Sequence, residues 1–143
     1  MIIDTHSHLY LEEFNSDIDQ IILRSKQSGV EKIYLPAIDS QTTQQLIQLE
    51  IKYPSYCIAM MGLHPCYVKE NYKAELEKVS SLLQQRKFAA IGECGLDFYW
   101  DKTFEKEQYE ALEQQIEWAL EYQLPIVLHT RNATQETIDV IKK

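Results

Sequence analysis

No run of about 18 consecutive apolar residues occurs in this 143-residue chain, so no bilayer-crossing helix is expected. No basic segment followed by a long apolar one stands at the N-terminus, so no signal peptide is expected. Cysteine is scarce and odd in number. Cys57, Cys66 and Cys94 lack the spacing of a metal finger. Free thiols in a reducing cytosol, and so a cytoplasmic location, are the expectation. Asn132-Ala133-Thr134 fits a glycosylation pattern, which means little without a secretory signal.

Positive charge is also short. Fourteen Lys and Arg face 22 Asp and Glu, for a net charge of −8. That argues against a protein that coats nucleic acid by bulk electrostatics. It leaves room for one that meets phosphate at a single local site, where two bound divalent cations would add about four positive charges. Low-complexity linkers and sequence repeats are absent. What remains, 45% apolar and 25% charged, is the composition of one globular domain over residues 1–143.

Apolar runs alternate with helical periodicity along the whole chain. Strands are expected at the N-terminal Met1 to His8, Val30 to Leu35, Tyr56 to Met61, Phe88 to Glu93, and from Pro125. Between them the spacing predicts helices. The first starts at a Ser16–Asp19 capping box and stops at Gly29. A second runs from a Ser40 cap through Lys52, and a third from about Lys73 to Arg86. The fourth, about Phe104 to Tyr122, has Tyr109, Leu112, Ile116, Ala119 and Leu120 as its apolar face, with its glutamates and glutamines solvated. Another begins at Thr134 and runs to Lys143. Leu9 to Phe14 and Cys94 to Asp101 read as loops. Five βα units imply an α/β fold with a parallel sheet. The Gly-rich turn of nucleotide-binding sheets is missing after the first strand, and His6-Ser7-His8 stands there instead. That favours a barrel over an open doubly wound sheet.

The chain has four histidines, and each follows an apolar run. In extended backbone His6 and His8 point the same way, with Cα atoms roughly 6.5 Å apart. Asp4 lies on that face, placed to receive a ring N–H and fix a tautomer. His64 follows the third run, Glu93 the fourth and His129 the fifth. If these runs are parallel strands, all five side chains gather at one end of one sheet, where α/β proteins keep their chemistry. Imidazoles with a carboxylate suit a divalent cation, and zinc, manganese, magnesium and nickel all fit such a donor set.

The segments Asp4-Thr5-His6-Ser7-His8-Leu9, Gly62-Leu63-His64-Pro65, Ile91 to Tyr99 and Leu124 to Ala133 resemble, in order and spacing, the TatD-like deoxyribonucleases of the metal-dependent hydrolase superfamily. The resemblance runs the length of the chain. It implies a (β/α)8 TIM-barrel type fold with one or two divalent metals at the C-terminal mouth. It implies metal ligation by His6 and His8, by Glu93 as a bridging and catalytic carboxylate, and by His129. His64 and Arg131 would contact substrate phosphate, the alternative for Arg131 being a surface salt bridge. Asp97 and Tyr99 would line the mouth, with Asp97 equally suited to support a ligand or cap a loop. The implied activity is phosphodiester hydrolysis by a metal-activated water. The implied partner is DNA, single-stranded or at a 3′ end, with no membrane.

A full barrel needs eight βα units and about 250 residues. This chain is therefore expected to be the N-terminal part of one, truncated to about five units. A later histidine and aspartate of the family pattern are missing, so impaired metal binding and activity are expected. Exposed sheet edges would permit self-association. Two other readings stay open: an amidohydrolase that cuts a C–N or ester bond, and a non-catalytic metal-binding fragment. Glu93 in place of a bridging lysine favours the nuclease over the amidohydrolase.

Overall fold

The computed structural model describes residues 2–142. Five strands, β1 (Ile2–Asp4), β2 (Val30–Leu35), β3 (Cys57–Ala59), β4 (Ile91–Asp97) and β5 (Ile126–Arg131), alternate with helices. The helices are α1 (Ile18–Gln27), α2 (Thr43–Lys52), α3 (Tyr72–Gln85), α4 (Glu105–Glu121) and α5 (Thr134–Ile141). Met1, the expected start of the first strand, and Lys143, the expected end of the last helix, lie outside the described residues. Short 3-10 turns add Glu12–Phe14 and Pro65–Tyr67.

All strand pairing is parallel. β2 lies between β1 and β3, β4 pairs with β5, and a parallel bridge from Met61 to Ile91 joins the two groups. Spatial order therefore follows chain order without reversal. A doubly wound sheet reverses at its ligand crevice, whereas a barrel does not. The fold is thus an open arc of five units of a (β/α) barrel. β1 and β5 each have one neighbouring strand among the described residues. α1 packs on β2, α2 on β3, α4 on β4, and α5 across β4 and β5.

The apolar spacing explains the packing, and the caps explain most departures from expectation. Ile22 of α1 and Leu46 and Leu49 of α2 are buried where the helical period puts them. The Ser16–Asp19 box does not form, because α1 begins behind Asp17 with no side-chain cap bond. α2 likewise starts behind Thr42 with no side-chain cap bond, and Asp39 Oδ1 accepts from the N–H and hydroxyl of Thr42 at 3.0 and 2.9 Å. Ser40 gives its N–H and O–H to Glu75 instead, at 2.9 and 2.8 Å. Bonds to an ionised carboxylate are stronger than those between neutral groups, so Ser40 is held by Glu75 rather than at the start of α2.

β4 does not end at Glu93 but continues to Asp97. Cys94, Leu96 and Phe98 pack with Leu112, Ala133 and Val140, so the "loop" residues are core. Gly95, at φ 145°, pairs with His129, and a Cβ there would lie 1.9 Å from the His129 carbonyl oxygen. Only glycine permits so close an approach of β4 to β5.

α4 corrects two further expectations. Leu120 is 75% exposed rather than part of the apolar face. Gln108 and Gln115 are buried rather than solvated. Gln115 accepts from the Leu63 N–H at 2.7 Å and donates to the Leu63 carbonyl at 3.2 Å. Gln108 makes the same pair of bonds to Asp97, at 2.8 and 3.2 Å. Each amide thus satisfies a buried peptide group that has no strand partner of its own.

Candidate metal centre

The arc brings His6, His8, His64, Glu93 and His129 together. β1 ends at Asp4 rather than at His8 as expected, so the first two histidines stand on an extended segment beyond the strand. The Ser7 N–H donates to the Tyr34 carbonyl at 3.1 Å and keeps that segment running beside β2. Alternation then carries His6 and His8 inward. Asp4 does not bind an imidazole as expected. Its Oδ1 accepts the backbone N–H of His6 at 3.0 Å, which pins the turn into the segment.

The partner that fixes a tautomer is Tyr10. Its hydroxyl donates to the Pro36 carbonyl at 2.7 Å, so the single phenolic proton is used there. His8 Nδ1, 2.9 Å from that oxygen, must be the donor. In neutral His8 the Nε2 lone pair therefore faces the site. Tyr10 was missed in the sequence, although it continues the alternation His6, His8, Tyr10.

His6 Nε2 and His8 Nε2 are 3.3 Å apart, and they lie 2.9 and 3.4 Å from Glu93 Oε2. Oε2 is buried and has no hydrogen-bond partner. Donors held about 2.1 Å from one cation stand about 3.0 to 3.4 Å apart, depending on the coordination angle. The triangle fits that spacing. His8 turns a lone pair rather than an N–H toward this buried oxygen, an arrangement that a cation between the two would satisfy.

The other carboxylate oxygen turns to β5. Glu93 Oε1 lies 3.1 Å from His129 Nδ1, and Asp97 Oδ2 lies 2.8 Å from His129 Nε2. Hydrogen bonding to Glu93 raises the His129 pKa against the opposing effect of burial, with Asp97 adding to the rise. Burial alone would push the Glu93 carboxyl up, but the four imidazoles outweigh it and hold it well below the usual carboxylate range. Asp97 behaves likewise: burial is outweighed by His129 and by the Tyr99 N–H. Asp97 is thus the buried orienting partner of His129.

His64 sits 3.7 Å from Glu93 Oε1 through Nε2, while its Nδ1 accepts the Cys66 N–H at 3.0 Å. A backbone N–H can only donate, so neutral His64 carries its proton on Nε2. Burial lowers its pKa to about 4, which keeps the ring neutral. That tautomer makes His64 a hydrogen-bond donor into the site. Donor atoms of His64, Cys66 and His129 also lie within 4.8 Å of one another. The Cys66 thiol, which sequence reasoning passed over, donates to Asp97 at 3.3 Å, and burial with that bond pushes its pKa up to about 12. Arg131 forms no salt bridge among the described residues. Its guanidinium lies over Tyr99 and Trp100.

A cluster of imidazoles around one carboxylate, on a parallel βα arc, is a donor set that would suit a divalent cation, as in the metal-dependent hydrolase class. The chain matches the model for TatD related DNase over residues 3–143 and belongs to that family. It is 34% identical over 143 residues to the uncharacterized metal-dependent hydrolase YabD of Bacillus subtilis (strain 168), covering 100% of this chain and 56% of that protein. It is 33% identical over 138 residues to the 3'-5' ssDNA/RNA exonuclease TatD of Pectobacterium carotovorum subsp. carotovorum (strain PC1), covering 96% and 53%. The crystal structure of the TatD homologue YjjV from Escherichia coli K12 superposes with a TM-score of 0.90 at 30% identity, covering 99% of this chain and 55% of that one. The chain thus spans about half the length of the relatives it matches. None of its helices, among the described residues, is long and apolar enough to cross a membrane.

Proposed function

We propose that this chain carries the cation-binding half of a hydrolase for phosphodiester bonds in single-stranded nucleic acid, engaged at a 3′ end. The observation that supports it best is the buried, partnerless Glu93 Oε2 facing His6 and His8. His6, His8 and Glu93 would hold one divalent cation, and Glu93 with His129 would hold part of a second. When bound, such a cation supplies Lewis acidity toward a phosphoryl oxygen and makes water nucleophilic near neutral pH. Zinc, manganese, magnesium and nickel all suit the donors.

The protein groups divide the remaining work. Glu93 would stand at the reacting centre as a ligand shared between the two cation positions. His64 offers its Nε2–H to a phosphate oxygen. Arg131, free of carboxylates, presents the edge of its guanidinium for a bidentate phosphate contact. Asp97 holds the His129 ring in place.

The ligand set is small, so weak cation binding and slow turnover are expected of this chain alone. Calorimetric titration with manganese or zinc tests the reading. Saturable heat should be seen for the wild type and lost in His6→Ala and Glu93→Gln. Equal heat in all three overturns it. Steady multiple turnover of a labelled oligonucleotide would overturn the expected impairment. The open edges at β1, where Ile2 and Ile3 are exposed, and at β5 support self-association, which sedimentation at rising concentration would show.

A further inference from the structure

We propose that Tyr99 and Trp100, backed by Arg131, form a stacking platform for an unpaired nucleobase beside the cation site. The inference rests on the nucleic-acid reading above and names what holds the substrate.

Tyr99 and Trp100 are 52% and 70% exposed, an unusual cost for two large rings on adjacent residues. They are not loose. The Tyr99 N–H donates to Asp97 Oδ1 at 3.0 Å, the Phe98 N–H to the Arg131 carbonyl at 2.9 Å, and the Thr103 N–H to Asp101 Oδ1 at 2.8 Å. The two rings meet edge to face at 4.7 Å, and the Arg131 guanidinium carbon lies 4.2 and 5.2 Å from their centroids. Trp100 and Arg131 line a cleft of about 330 Å³ together with His8, His64 and His129. A base on the platform would thus leave its phosphate next to Arg131 and the cation donors.

Charge points the same way. With a net charge of −8 the chain repels a phosphate backbone at long range, and this rim offers one arginine. Counterion release from one neutralised phosphate gives a shallow salt dependence, a log–log slope of about −0.7 for a single strand. Affinity must then come from base stacking, which is sequence-tolerant because every base has a π face. A duplex, whose bases are already stacked, would gain nothing here.

Fluorescence anisotropy tests this on the intact chain in EDTA, with labelled deca-thymidylate and an abasic sugar-phosphate oligomer of equal length. The base-bearing strand should bind on the order of 10-fold or more tighter, the size expected for one stacked base. Trp100→Ala should erase the difference, Trp100→Phe should retain most of it, and the salt slope should stay near or below one. Trp118 is buried, so saturable quenching of the emission reports Trp100. Equal affinity for both oligomers, no binding of either, or an unchanged preference in Trp100→Ala overturns the platform. Emission that shifts with protein concentration alone would assign the rings to a second copy and overturn it too. Because EDTA removes divalent cations, a base preference can persist if the calorimetric test fails, and the converse also holds.

Discussion

His8 Nδ1 lies 2.9 Å from the Tyr10 hydroxyl, whose proton is already given to Pro36. This puts the proton of neutral His8 on Nδ1 and leaves Nε2, the nitrogen that faces Glu93, with a lone pair. Tyr10→Phe removes the acceptor and leaves the tautomer free. Loss of such an orienting partner typically weakens metal affinity about 10- to 100-fold. Competition titration with a chromogenic chelator should show that loss, with a stability cost of about 1 kcal/mol for the missing bonds.

Asp97→Asn tests the orienting role on β5. The amide keeps the size of Asp97 but loses its charge against His129 Nε2, 2.8 Å away. A fall of about 10-fold or more is expected in affinity for a cation held through His129, with binding at His6 and His8 little changed. Two-phase calorimetry resolves the two.

Gln115→Leu strips both partners from the buried Leu63 peptide groups. Two unsatisfied buried groups should cost about 3 kcal/mol. A fall in Tm on the order of 10 °C follows for a domain of this size. Gln84→Leu, on an exposed position of α3, should stay within about 0.5 kcal/mol. Thermal melts followed by circular dichroism distinguish the two.

Glu75 is buried in α3, yet its carboxyl is held below its ordinary value. Burial pushes the pKa up, and the Ser40 hydroxyl and N–H, with Lys78, outweigh it. A group with a lowered folded pKa stabilises above its unfolded value, and that stability is lost as pH falls through the folded one. Glu75→Gln should therefore lose about 2 kcal/mol at pH 7. The gap to wild type should close below the ordinary glutamate value of 4.5, as acid protonates the wild-type side chain. Urea unfolding at pH 7 and pH 3 measures both gaps, and the difference isolates Glu75 from other carboxylates.

The histidine positions made the gathering of His6, His8, Glu93 and His129 legible, because each follows an apolar run and parallel strands bring such ends together. The fold was legible for the same reason. Less visible were groups that work through backbone. Gln108 and Gln115 look like any polar face of a helix, and only the strand ends they meet reveal their burial. The extent of β4 was hidden because Cys94, Gly95 and Asp97 are not strong strand formers. Their places are set by α4, α5 and the close approach of β5. Arg131 was read as a phosphate contact or a surface ion pair, and its position over two aromatic rings depends on a loop whose path local spacing does not determine.

The two buried amides of α4 stand two helical turns apart and clasp different segments, one just before His64 and the other at Asp97. The helix therefore acts as a gauge block between them. Rolling it slightly about its own axis would shift both segments in concert. A bulky replacement on its packed side would thus displace the backbone at Leu63 and Asp97 together without altering either residue.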